Sequence, residues 1–279
     1  MLSNGLRGVL VTCHTHRQRE ASAEALALLR ERIASYTAEH SSPSEPDLGA
    51  ADGGSDSHGG VGAVSIQDEI EAELASLRAE RDTLYQTETG IRGCLLIALR
   101  KSVATEYTPE QLVTDLFTEM MAGRLPPPRD AIRFTPFAIT THASLMDATR
   151  ELPKLLEPHF GKGTAPQRWQ LVFKKRSCDP SITAREWIPA LAALVDARHP
   201  VDLKGGAEIS VLVEVFRASC GLCVSANYSQ CLGFNCQHKT LRPEIPTDIG
   251  SNTAAGADGG GDGGGSGTGP ACTAVSAKA

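Results

Sequence analysis

Three cations in succession, Lys174-Lys175-Arg176, are the residues best placed to do chemistry in this sequence, with Arg168, Arg185 and Lys204 nearby in the expected topology. The chemistry they suit is electrostatic: a phosphate backbone is gripped by a few lysines and arginines placed together, without the whole protein being basic. The run closes a stretch that reads as a strand, and Arg185 falls in the first turn of the helix expected next. Backbone amides at such a helix start are themselves ready anion donors. A run of charge at a strand end is also compatible with a plain solvated edge. The cations therefore define a candidate polyanion surface, with a solvated strand end as the alternative.

Two other groups carry reactive side chains. Cys220-x-x-Cys223 and Cys231-x4-Cys236-x-His238 use residue types that structural zinc commonly takes in pairs. Cys223, however, stands between Leu222 and Val224, and residues 220 and 223 of one strand point to opposite faces. Buried thiols that behave as small hydrophobes are the expectation, with no metal; a zinc site is the alternative. Cys13-His14-Thr15-His16 ends an apolar run and reads as a strand terminus. His159-Phe160-Gly161-Lys162-Gly163-Thr164 fails the phosphate-loop pattern, which needs Gly where Leu156 stands and Ser or Thr where Gly163 stands. It reads as a loop after a helix, in which Lys162 could still meet a phosphate. No G-x-G-x-x-G follows a strand. Neither a cofactor nor an enzymatic constellation is expected.

The charge balance agrees with a local rather than a global polyanion surface. The 279 residues carry 27 Lys plus Arg against 33 Asp plus Glu, a formal net charge of −6. Between Asp130 and Ile245 there are 14 Lys plus Arg and 11 Asp plus Glu, a net of +3, so the rest carries −6 − 3 = −9. A mildly basic half on an acidic chain points weakly toward a polyanion. The chain is 41% hydrophobic, enough for a substantial core. Met1-Leu2-Ser3-Asn4-Gly5 does not open a signal peptide, and no stretch approaches the roughly 18 apolar residues of a membrane span. The 8 Cys are accordingly expected as thiols in a reducing compartment, nucleus or cytoplasm, and the Asn227-Tyr228-Ser229 sequon is expected to go unused.

The elements that must position these residues follow from periodicity. Gly8–Thr12 reads as a strand, followed by a helix from about Glu20 with Leu26, Leu29 and Ile33 on one stripe. Residues 41–64, rich in Ser, Gly, Pro and Asp, read as a disordered insertion. Ser65 and Asp68 form a capping box ahead of Ile66, Ile70, Leu74, Leu77 and Leu84 at helical spacing. Cys94–Leu99 is an apolar, buried-type strand. Thr108, Pro109 and Gln111 make a clear helix start and Gly123 a stop. Pro126-Pro127-Pro128 is a stiff break, where the domain boundary is placed. From 130 to 236 the order is strand, helix, strand, helix, strand, strand. Trp169, Leu171 and Phe173 share one face of a strand and Gln170, Val172 and Lys174 the other. Thr183 and Glu186 make a second capping box with Ile182 and Trp187 as its staple, and Trp187, Leu191, Leu194 and Val195 a buried stripe, interrupted by Pro189. Ile209–Val215 alternates as a strand, and a Cys220-Gly221 turn leads to another at Leu222 and Val224. The class is α+β with an α/β-like order. Residues 1–40 and 65–125 form a first domain, 130–238 a second, and 239–279 a Gly-rich disordered tail.

From residue 130 onward these features resemble a THUMP domain, an RNA-binding module of tRNA-modifying systems. Trp169–Arg176 resembles the family's strand ending in basic residues. Pro200-Val201-Asp202-Leu203-Lys204 resembles its "VDL" signature and Ile209–Val215 its "I.V.VEV" strand; the Cys220–Ala226 hairpin closes the pattern. Arg133-Phe134-Thr135-Pro136, Leu155–Phe160, Val11-Thr12-Cys13 and Arg19-Glu20 are similar more narrowly to the family's eukaryotic tRNA acetyltransferase adaptors. The resemblance covers roughly residues 8–40, 66–123 and 130–236. It implies a ferredoxin-like first domain and a THUMP second domain that together engage tRNA. It further implies a protein that is not an enzyme but works with an RNA cytidine acetyltransferase making 4-acetylcytidine in serine and leucine tRNAs. By position Lys174, Arg176 and Lys204 would contact phosphates, as would Lys175, Arg185 and Arg133, while Asp202 would hold the loop after the strand. The insertion at 41–64, Gly205-Gly206-Ala207 after the signature and the Gly-rich tail depart from the family pattern. The rival reading is the RNA-binding portion of a truncated tRNA methyltransferase or thiouridine synthetase. In that case a catalytic domain would have to be missing beyond the low-complexity end.

Overall fold

The computed structural model describes residue 2 and residues 4–40, 83–100 and 107–242. The 41–64 insertion, the Ser65–Asp68 capping box, the Ile66–Leu77 stripe and the tail beyond 242 lie outside the described residues.

The first unit runs β1 (Gly8–Cys13), α1 (Gln18–His40), β2 (Leu84–Glu88), β3 (Cys94–Leu99), α2 (Pro109–Met121) and β4 (Ala131–Phe137). Its sheet has the order β2-β3-β1-β4 with every pair antiparallel, the βαββαβ arrangement of ferredoxin-like domains. Alternation along the strands separates two apolar faces. Val9, Val11, Leu95, Ile97 and Phe134 pack on Ala21, Ala25, Leu29 and Ile33 of α1 and on Leu112, Leu116 and Phe117 of α2. Leu10, Cys94, Leu96 and Phe137 face the other way. The start of α2 is the one the sequence specifies. Thr108 Oγ1 accepts from the Gln111 amide at 3.1 Å, and Gln111 Oε1 accepts from the Thr108 amide at 3.1 Å.

Two expectations for this unit are corrected. Leu84 does not extend a helical stripe; it opens β2, in which it is the sole fully buried residue. The Pro126–Pro128 break does not end the unit, because β4 follows it and pairs with β1 from Gly8↔Phe137 to Cys13↔Ala131. Three consecutive prolines exclude regular structure locally but say nothing about which sheet the next strand joins.

The second unit runs β5 (Ile139–His142), α3 (Leu145–Phe160), β6 (Trp169–Arg176), α4 (Ala184–Ala192), β7 (Ile209–Phe216) and β8 (Ser219–Ser225). Its sheet order is β5-β8-β7-β6, with β6 and β7 parallel and the remaining pairs antiparallel. A parallel pair requires a crossover, and α4 supplies it. One face carries Trp169, Val211, Val213, Val215, Cys220 and Leu222 against α3 and α4. On the other, Leu212 and Cys223 enter the core of the first unit, and Phe216 stacks on Phe137 with centroids 5.7 Å apart. Cys220 and Cys223 thus point to opposite faces of β8.

Here too the sequence misleads in places. Cys220-Gly221 is not a turn but lies within β8; the hairpin turns at Arg217, whose φ is +52°, and Ala218. Gly221 is in the strand because Phe137 lies over it: a Cβ there would stand 2.5 Å from the ring. Helix α4 begins as expected, with Thr183 Oγ1 accepting from the Glu186 amide at 3.3 Å, yet ends at Ala192, before Leu194 and Val195.

Beyond β8 the chain returns to the first unit. Cys231, Phe234, Cys236 and Leu241 join its core, Phe234 meeting Phe117 edge-on at 5.6 Å. The Cys236 amide donates to the Ile132 carbonyl at 2.8 Å, and Arg242 donates to the Pro128 carbonyl. Residues 239–242, expected in the tail, therefore belong to the folded body. Among the described residues no helix is long and apolar enough to cross a membrane.

Candidate nucleic-acid interface

β6 is an edge strand, so consecutive cations on it are sent to different places. Trp169, Leu171 and Phe173 pack with α3 and α4, while Val172 packs toward the first unit. Lys175 shares the helix-side parity: its Nζ donates to the Ile182 carbonyl at 3.1 Å, immediately before the cap of α4. Arg185, exposed in the first turn of that helix, completes a small cationic zone there.

Lys174 and Arg176 face the first unit. The Lys174 ammonium lies 5.9 Å from the centroid of the Tyr228 ring, within cation–π range. Burial pushes the Tyr228 phenol up from its ordinary value, the Arg133 charge opposes that shift, and Glu214 adds to it. Arg133, half-buried on β4 opposite Thr12, also bridges to Asn235. Lys174 from one unit lies over Tyr228 and Arg133 from the other bridges to Asn235, so both cations meet the segment 227–235. Arg176 is engaged differently: its Nε forms an ion pair with Glu214, whose side chain is only 2% exposed. Glu214 Oε2 has no hydrogen-bond partner among the described residues.

Lys204 belongs to a third place. Val201 bridges to Trp169, and the Asp202 amide donates to the Trp169 carbonyl at 2.8 Å, which puts the loop at the start of β6. Eight residues of strand, roughly 25 Å at ~3.3 Å each, separate the two ends of β6. Asp202 Oδ1 accepts from the Lys204 amide at 2.7 Å, and Oδ2 lies 3.8 Å from Arg168, so Asp202 holds its loop. Gly206 packs so closely beneath them that a Cβ would be 2.7 Å from Asp202 Oδ2 and 2.9 Å from Arg168. Lys204 and Lys162 are exposed.

The six cations singled out from sequence thus form three groups: Lys174 with Arg133, and Arg176 behind them on Glu214; Lys175 with Arg185; and Lys204. Tyr228, Glu214 and Glu110 escaped notice. Glu110 Oε1 in α2 accepts from Ser225 Oγ at 2.7 Å and Asn227 Nδ2 at 3.4 Å, tying the two units together. The only sequence signal for Tyr228 was a sequon, which concerns a different chemistry. Glu214 carried one: an acid within an otherwise apolar run needs a buried partner.

Comparisons with known proteins follow the same lines. No family model matches the sequence. Over 264 residues the chain is 26% identical to THUMP domain-containing protein 1 of Homo sapiens, covering 92% of this chain and 70% of that protein. It is 33% identical over 110 residues to the Drosophila melanogaster homolog of that protein, covering 38% of this chain and 33% of the homolog. A solution structure of the THUMP domain of THUMP domain-containing protein 1 matches at 29% identity and a TM-score of 0.26, over 29% of this chain and 84% of the domain. Both relatives are THUMP domain-containing proteins, and this chain is similar to them. The similarity to THUMP domain-containing protein 1 runs along most of this chain's length.

Proposed function

We propose that this chain is a tRNA-binding adaptor, without catalysis of its own, that presents tRNA to an RNA cytidine acetyltransferase for 4-acetylcytidine formation. The observation that carries the reading is that Lys174 and Arg133, from the two units, are both held by the one segment 227–235. Lys175 with Arg185 on the helix side, and Lys204 at the far end of β6, supply two further cationic points. Phosphate contacts of this kind orient a nucleic acid without reading its bases, which is what an adaptor needs if the partner performs the chemistry. Similarity to THUMP domain-containing protein 1, and the resemblance of residues 130–236 to a THUMP domain, favour tRNA over other polyanions. An adaptor of nuclear or cytoplasmic tRNA fits the same reading.

Binding of tRNA by the purified chain, titrated at several salt concentrations beside double-stranded DNA of equal length, tests it. Binding should favour tRNA and weaken with salt, and Lys174→Ala should lower the log–log salt slope by roughly 0.7. Addition of an RNA cytidine acetyltransferase should then yield 4-acetylcytidine only when the chain is present. Equal affinity for the two nucleic acids would overturn the tRNA reading, and acetylation that ignores the chain would overturn the adaptor role.

A further inference from the structure

We infer that Tyr228 is a positioning residue for RNA binding: its ring fixes the Lys174 ammonium on the same segment, residues 227–235, that bridges to Arg133, so that cations from both units meet one stretch of phosphate backbone. The inference rests on the tRNA-binding reading and adds the residue that makes the junction a built site.

The segment around Tyr228 is held from both sides. Asn227 is tied to Glu110 of α2, and Ser229 accepts from Gln170 Nε2 of β6 at 3.2 Å. The Gly233 amide donates to the Tyr228 carbonyl at 2.8 Å, closing a turn in which Gly233 has φ +63°. A Cβ on Gly233 would stand 3.3 Å from the Tyr228 hydroxyl, so the turn fits closely beneath the phenol. Phe234 meets the ring edge-on at 5.4 Å and 80°, and is itself fully buried. The backbone, the hydroxyl end and one edge of the ring are thus fixed, and the Lys174 ammonium lies over the ring at 5.9 Å.

The physical effect is on freedom, not on charge. A lysine must give up much rotamer freedom to hold a phosphate, and a cation–π contact removes part of that freedom before RNA arrives. Arg133 sits on β4, whose register with β1 is set by the first sheet, and Asn235 of the same C-terminal segment bridges to it. One segment, residues 227–235, therefore sets both cations. Tyr228 needs no contact with RNA to do this.

Four proteins test the inference: Tyr228→Phe, Tyr228→Leu, Lys174→Met, and Lys174→Met with Tyr228→Leu. The readouts are tRNA affinity against salt, thermal midpoint, and the NMR shifts of the Lys174 ε-methylene group. Tyr228→Phe should bind as the parent does, since the ring face survives. Tyr228→Leu should bind about two- to fivefold more weakly, the range a contact of this strength allows. Its Lys174 ε-methylene should lose the ring-current shift seen in the parent. Beside Lys174→Met, Tyr228→Leu should add no further loss. Parental affinity in Tyr228→Leu, or an equal loss with and without Lys174, would overturn the inference even if tRNA binding holds. An unshifted Lys174 ε-methylene in the parent would overturn it without any RNA, whether or not the leucine variant folds. Failure of the parent to bind tRNA would overturn the functional reading and the inference together.

Discussion

Arg176 and Lys174 stand two residues apart on the same face of β6 yet do different things, because the register with β7 puts Glu214 beside them. Glu214 is nearly inaccessible and has one oxygen unpartnered among the described residues, so the Arg176 guanidinium is its main compensation. Removing one member of such a pair leaves a buried charge. Arg176→Ala should lower unfolding stability by about 3 kcal/mol relative to the parent, as judged from denaturant midpoints. A midpoint equal to the parent's would mean that the pair is dispensable. From sequence the two cations were indistinguishable. The acid that Arg176 meets lies 38 residues away, and pairing at that range depends on strand register, which period-2 alternation alone does not fix.

Helix starts were the most legible elements, because a cap and its partner lie within four residues of each other. Thr108 with Gln111 and the Thr183 cap were both recognisable on that basis. β3, with every residue buried, was equally plain. β2 was not, since only Leu84 is fully buried in an otherwise polar edge strand, and β8 was blurred by a glycine that serves a neighbouring ring instead of a turn. At this scale α3 carries a pH dependence. Burial in its last turn holds the His159 imidazole below its ordinary value of 6.5, and Glu110 pulls the other way. The unfolded chain therefore takes up the proton first. Stability from the neutral ring is complete above the unfolded value and falls as pH drops through it. The melting temperature should decline between about pH 7.5 and 5.5, less steeply in His159→Gln than in the parent. Identical slopes would show that another group sets the response.

Across the molecule, the two sheets are joined by Phe137 lying over Gly221 and stacking on Phe216. Gly221→Ala should cost about 1–3 kcal/mol in a denaturant titration, with part of it regained by Phe137→Leu. No recovery would mean that the backbone, not the ring, is at fault. This junction was the least visible feature in the sequence. Composition marks linkers, and the proline run resembles one, but a strand beyond it completes the first sheet. The candidate interface suffered likewise: its cations were visible, whereas the tyrosine and acids that arrange them become neighbours only when both units are folded.

The return of residues 231–242 to the first unit has a consequence for how the protein is made. Cys231, Phe234, Cys236 and Leu241 sit in the core built by β1, β3 and α2. On the ribosome that core lacks its closing side chains until the roughly hundred residues between Phe137 and Leu241 have been added, about 5–20 s at ordinary elongation rates. During that interval apolar surface on the amino-terminal half remains open to chaperones. Its final closure coincides with completion of the segment that carries Tyr228, so newly made chains gain a full core and an ordered junction around Lys174 together.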